Sequence, residues 1–81
     1  MGEKRTKYQI IAAILTALAE SAHSKTGLSY ATALHYGVCT NYLDLLLQHN
    51  MVTALGTKPE TYAMTDYGFS YQNNLRSVLT I

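Results

Sequence analysis

Between residues 6 and 50 the apolar side chains recur at the three-and-four spacing of a helix, and between 51 and 65 they do not. That change of period limits the fold to helices followed by a small β element. In "TKYQIIAAILTALAESA", residues 6–22, Ile10, Ile11, Ile14, Leu15 and Leu18 form one apolar face. The alanines keep helix propensity high, and Thr6 is placed to cap the start. "HSKTG" breaks the pattern. "LSYATAL", residues 28–34, suits a short second helix with Leu28, Ala31 and Leu34 turned inward. After a turn near His35 to Gly37, residues 36–50 form a third helix. Cys39, Tyr42, Leu43 and Leu46 share its apolar face, and Asn50 is a C-terminal stop. Two starts fit this helix: His35 precedes it, or Gly37 is the turn and the helix begins at Val38.

"MVTAL" and "TYAMT" then read as short strands joined by "GTKPE", a hairpin over residues 51–65. Thr65 caps a last helix, residues 66–80, with Tyr71, Leu75 and Val78 along one stripe and Leu79 beside it. The fold class expected is mainly α with a small β-hairpin, in one domain spanning 1–81. A core of this size is marginal alone, and 48% hydrophobic against 14% charged residues leaves apolar surface for a partner. A homodimer is expected. Its contacts would come from Tyr71, Leu75, Val78 and Leu79.

A net charge of +1 excludes a protein that holds nucleic acid by its global field alone, so any such binding needs a local cluster. Cys39 is the only cysteine, which rules out an internal disulfide and fits a reducing compartment. The apolar runs are too short for a membrane span, and the charged N-terminus has no signal-peptide cleavage pattern. A cytoplasmic, nucleoid-associated protein is expected. His23, His35 and His49 do not combine with Cys39 in a zinc-ligand spacing. There is no glycine-rich phosphate loop and no nucleophile elbow, and Asp44, Glu60 and Asp66 are too scattered for a carboxylate pair. No metal, cofactor, small-molecule ligand or enzymatic activity is expected.

The order helix, helix, helix, hairpin, helix is that of a winged helix-turn-helix, in which the rear of the third helix is held in a core and its front enters a DNA groove. The resemblance extends to motifs. "KTGLSYATALHYGVCTNYLDLLLQHNMV" is similar to the small archaeal winged-helix proteins, where a Lys-Thr-x-Ile/Leu-x-Tyr segment runs into Tyr-Leu-x-x-Leu and then a strand start. "TDYGFSY" resembles the Thr-x-x-Gly-x-x-Phe/Tyr opening of their last helix, and "RTKYQIIAAIL" their first helix. The resemblance covers nearly the whole chain. It implies a transcription regulator or chromatin-associated DNA-binding protein, commonly dimerised through a long C-terminal helix. This last helix is too short for a long coiled coil, and the third helix lacks the several lysines that relatives carry.

Tyr36, Gly37, Thr40, Asn41 and Asp44 fall opposite the apolar face of the third helix. Asn41 is the sharpest candidate because Asn pairs bidentately with adenine, while Thr40 suits a thymine methyl or a phosphate. Gly37 would allow close backbone approach, and Asp44 opposes phosphate. Lys4, Arg5 and Lys7 form the one dense basic group, read as an arm along the DNA backbone. Lys25 and Thr26 precede the second helix, whose N-terminus favours phosphate, and Lys58 stands at the hairpin tip. The α3 positions and Lys58 also fit an ordinary solvated surface, and the Lys4, Arg5 and Lys7 group also fits a solubilising end paired with Glu3, with phosphate contact the preferred reading. Tyr30 either reaches a phosphate with its hydroxyl or packs against the third helix with a polar tip, and packing is the preferred reading. Tyr42 is read as core, and Cys39 as an inward-facing filler. The competing functional class is a winged-helix docking module that binds protein, which near-neutral charge suits. Non-specific chromatin packing would want more lysine.

Overall fold

Thr6 opens the first helix of the computed structural model, which describes residues 5–56 and 60–79, without the side chains of 72 and 74–79. Its hydroxyl accepts the Gln9 N–H at 3.1 Å, and the Gln9 amide oxygen accepts the Thr6 N–H at 2.9 Å, a reciprocal capping box. Among the described residues the order is α1 (Lys7–Glu20), α2 (Lys25–Thr32), α3 (Tyr36–Gln48), β1 (Val52–Ala54), β2 (Tyr62–Met64) and α4 (Asp66–Leu79). This is the mainly helical, hairpin-bearing winged arrangement expected. One core unites the α1 stripe with Leu28, Leu34, Cys39, Leu43, Leu46, Val52 and Tyr62.

α2 is displaced from its expected span of 28–34. It begins at Lys25, because the Ser24 hydroxyl caps it by accepting the Gly27 N–H at 3.1 Å. It ends at Thr32, because Ala33 turns left-handed with φ 57°. The inward positions are therefore Leu28 and Thr32. Ala31, expected inside, is exposed, and Leu34 is buried from beyond the helix end. The bonds Leu34 N–H to Ser29 O at 3.2 Å and Ala33 N–H to Tyr30 O at 3.3 Å close a Schellman motif. The α3 terminus repeats it. Asn50 has φ 61°, Met51 N–H reaches Leu46 O at 3.0 Å, and Asn50 N–H reaches Leu47 O at 3.1 Å. Asn tolerates that conformation; Ala carries a steric cost there. Ala33→Gly should therefore stabilise the fold by about 0.5–1 kcal/mol, after allowing for the extra chain entropy of glycine. A higher midpoint in thermal unfolding checks this.

β1 and β2 pair antiparallel in the register Val52–Met64, Thr53–Ala63, Ala54–Tyr62. A further strand partner was not legible in the sequence. His23, between α1 and α2, exchanges both backbone bonds with Tyr62, His23 N–H to Tyr62 O at 3.1 Å and Tyr62 N–H to His23 O at 2.8 Å. β2 thus runs between β1 and a one-residue bridge. The hairpin is thereby tied to the start of α2.

α4 is held at its first turn. The Thr65 hydroxyl donates to Asn50 O at 2.6 Å and accepts the Gly68 N–H at 3.0 Å, while Thr65 N–H donates to Met51 O at 3.0 Å. Gly68 is buried directly against the Met51 backbone.

Candidate nucleic-acid interface

α3 separates its two faces cleanly. Cys39, Leu43 and Leu46 are buried at spacings of four and three. Opposite them Gly37, Asn41, Asp44 and Gln48 are exposed at spacings of four, three and four, which draws a single stripe along the helix. Tyr36 and Thr40 flank it. Tyr36 is 53% exposed at the first helical position; Thr40 is half-buried, and its hydroxyl donates to Gly37 O at 3.1 Å. His35 precedes the helix without a side-chain cap, so the helix begins before Gly37 and not at Val38. A Cβ placed on Gly37 would meet nothing within 4 Å. Gln48 belongs to the stripe and was missed in the sequence, because it sits at the end of an otherwise apolar run.

The two flanks of α3 differ in charge. On the α1 side, Lys7 and Asn41 line one hollow of about 340 Å3 together with Tyr42 and Leu45. On the hairpin side, the Tyr62 hydroxyl donates to Glu60 Oε1 at 2.7 Å. That bond, burial and the Glu60 charge raise the phenol to about 12, with smaller contributions from Asp44 and Tyr36. Asp44 and Glu60 thus both act on the Tyr62 hydroxyl.

Of the basic arm, Lys7 is exposed at the first position of α1. Arg5 has a different engagement from the phosphate contact expected. Its Nη1 donates to Thr32 O at 3.1 Å and Nη2 to Ala33 O at 3.3 Å, so the guanidinium covers the C-terminal carbonyls of α2. Lys25 and Thr26 do not precede α2 but form its first turn, the lysine half-buried and the threonine exposed. Lys4 and Lys58 lie outside the described residues, as do the side chains of Leu75, Val78 and Leu79. Tyr71 is half-buried and packs on the core of its own chain. Tyr30 does not pack against α3 as expected: it is 83% exposed. Tyr42 is partly buried against the core.

Cys39 is fully buried, and burial pushes its thiol up, partly offset by a hydrogen bond with Thr32. The reactive thiolate is therefore scarce. A thiol reagent at neutral pH should label the native protein far more slowly than the unfolded chain. Equal rates would show that the α3 rear opens readily. Among the described residues no three potential metal ligands come together, and no helix is long and apolar enough to cross a membrane.

Residues 4–81 match the model of a family described as winged helix-turn-helix. No curated protein matches the chain in sequence. Solved structures share its fold. Sso10a-2, a DNA-binding protein from Sulfolobus solfataricus, is 21% identical with a TM-score of 0.84, over 94% of this chain and 80% of that one. The transcriptional regulator BldR, also from Sulfolobus solfataricus, is 19% identical with a TM-score of 0.80, over 88% and 54%. The MarR family transcriptional regulator SPO1453 from Silicibacter pomeroyi is 15% identical with a TM-score of 0.72, over 91% and 54%. The chain spans about half the length of these two regulators.

Proposed function

The chain belongs to the winged helix-turn-helix family, and on that premise we propose that it is a DNA-binding transcription regulator whose α3 enters the major groove. The observation that carries this is the stripe Gly37, Asn41, Asp44, Gln48. Its side chains are polar or absent and open to solvent, on a helix whose rear is locked in the core. An amide in that setting can meet a base edge, and the groove admits a helix of this width. Lys7, Lys25 and Thr26 serve as backbone contacts around it. Arg5 acts first by fixing α2. Lys58, between the two strands in the sequence, would add a contact of the kind a wing makes. Asp44 opposes phosphate at its own turn of α3.

The test is titration of duplex DNA at several salt concentrations. Each phosphate contact contributes about 0.9 to the slope of log affinity against log salt. A steep slope supports the reading. An absence of binding at low salt would remove it and leave the docking module in its place.

We also propose a homodimer through α4. Tyr67 is exposed and lies four residues before Tyr71, on the same helical stripe as Leu75 and Val78. Sedimentation should give twice the chain mass at micromolar concentration. Leu75→Glu should shift the protein toward monomer while leaving its helix content intact. A wild type that sediments as a monomer at high concentration would exclude the dimer.

A further inference from the structure

Where the start of α1 meets the end of α3 and the flank of α4, the surface opens into a hollow of about 220 Å3. Ile11, Leu46 and Met51 line it, and all three are buried members of the core. Leu45 and Tyr71, both half-buried, complete its apolar lining. The other two lining residues are polar and exposed, Lys7 and His49. The hollow therefore has a hydrocarbon interior with an ammonium and an imidazole at its mouth. Among the described residues lining it there is no carboxylate to neutralise Lys7. Lys7 also opens α1, whose first turn holds no acidic residue, at the end of a helix dipole that favours negative charge.

That chemistry selects a ligand. The body of the ligand must be hydrocarbon, because hydroxyls or a phosphate placed on Ile11, Leu46 and Met51 would lose water without gaining partners. Its one polar group must be an anion that accepts hydrogen bonds. Drug-sized pockets hold about 300–1,000 Å3, and this hollow is smaller, so the body is limited to one ring or one branched chain. The hollow is also tied to the front of α3. Lys7 and Leu45 line the neighbouring hollow as well, the one that holds Asn41 and Tyr42.

We propose that the hollow between α1, α3 and α4 binds a small monocarboxylate with a branched or cyclic hydrocarbon body, and that its occupation withdraws Lys7 from DNA. The carboxylate meets Lys7 and His49, and the body covers the core side chains beneath. The site stands on the geometry of the hollow; its regulatory effect rests on the DNA-binding reading. One ammonium then serves two anions, so ligand and duplex each weaken the binding of the other.

The probe is cyclohexanecarboxylate, with cyclohexanecarboxamide as its neutral counterpart, titrated into the full chain and followed by NMR. The acid should shift the Leu45, Leu46, Met51 and Tyr71 resonances saturably, and the amide should bind about tenfold more weakly. Lys7→Gln should melt with the wild type, because Lys7 is exposed, and should bind acid and amide alike. In a parallel DNA titration, saturating acid should weaken duplex binding by the wild type and lower its salt slope by about one. It should change nothing for Lys7→Gln. If the acid shifts none of these resonances, the site is overturned. Equal binding of acid and amide to the wild type overturns the carboxylate assignment. If the acid binds and the wild type holds DNA with undiminished affinity, the regulatory effect is excluded while the DNA reading stands. If the wild type shows no salt-sensitive DNA binding, the DNA reading and the regulatory effect fail together, and the NMR titration still decides the site.

Discussion

Gly68→Ala is expected to remove much of the stability of this protein. A Cβ built on Gly68 overlaps the Met51 carbonyl oxygen and stands 3.0 Å from its carbon and 3.3 Å from its Cα. All three atoms are backbone, so no side chain can rotate away. The same carbonyl accepts the Thr65 N–H, and the Gly68 N–H is bound to the Thr65 hydroxyl. Making room for the methyl group therefore disturbs the α4 cap as well as the packing. Overpacking of this kind costs about 3 kcal/mol or more. A chain of this size has roughly 4–12 kcal/mol in total. The thermal midpoint should fall by more than about 12 °C. Gly37→Ala is the matched control. Its Cβ would enter open space, so the same change there should stabilise by up to about 1 kcal/mol. If Gly68→Ala melts within a few degrees of wild type, the crossing of α4 over Met51 is not set by backbone contact.

The second large effect concerns sequence choice. Asn41 is exposed in the middle of the α3 stripe, with Lys7 beside it in the same hollow. A bidentate amide-to-base pair discriminates by about 1–3 kcal/mol, whereas a phosphate contact is the same on every sequence. Asn41→Ala should therefore lower affinity for a selected duplex by about 5- to 150-fold while changing random duplex little. Lys7→Gln should weaken both equally and reduce the salt slope by about one. The ratio of affinities on selected and random duplex is the quantity to measure. If Asn41→Ala weakens both by one factor, α3 is not the reading element.

The helices were legible where burial follows period. The Ile10 to Leu18 stripe and the Cys39, Leu43, Leu46 face are local patterns, and the structure buries them as their spacing predicts. What the sequence leaves unread either carries no apolar signal of its own or depends on partners distant in the chain. The start of α2 was misplaced because its cap is Ser24 and its first turn, "KTG", has no apolar signal. Its end was misplaced because Ala33 gives no sign of a left-handed turn, while Asn50 at the matching point of α3 does. His23 becomes a strand partner only because Tyr62 lies opposite. Arg5 reads as a free arm until the α2 carbonyls are in place beside it. On the candidate interface, the α3 positions Tyr36 to Asp44 follow from the helical wheel. Gln48 is hidden by its apolar neighbours.

The paired ends of the hairpin have a consequence for how such a protein can vary. Thr65 binds back to Asn50 and Met51, so the segment from 51 to 65 leaves and re-enters the helical body at a single knot. Its length is then uncoupled from the positions of α3 and α4. Lengthening a closed excursion of this kind is cheap, about 0.6 kcal/mol for each doubling. Residues can be inserted or exchanged beyond Leu55 and Thr61, the outermost bonded pair among the described residues, without re-aiming α3. Reach along a duplex and choice of base are thus separately adjustable traits, and one can drift while the other is held.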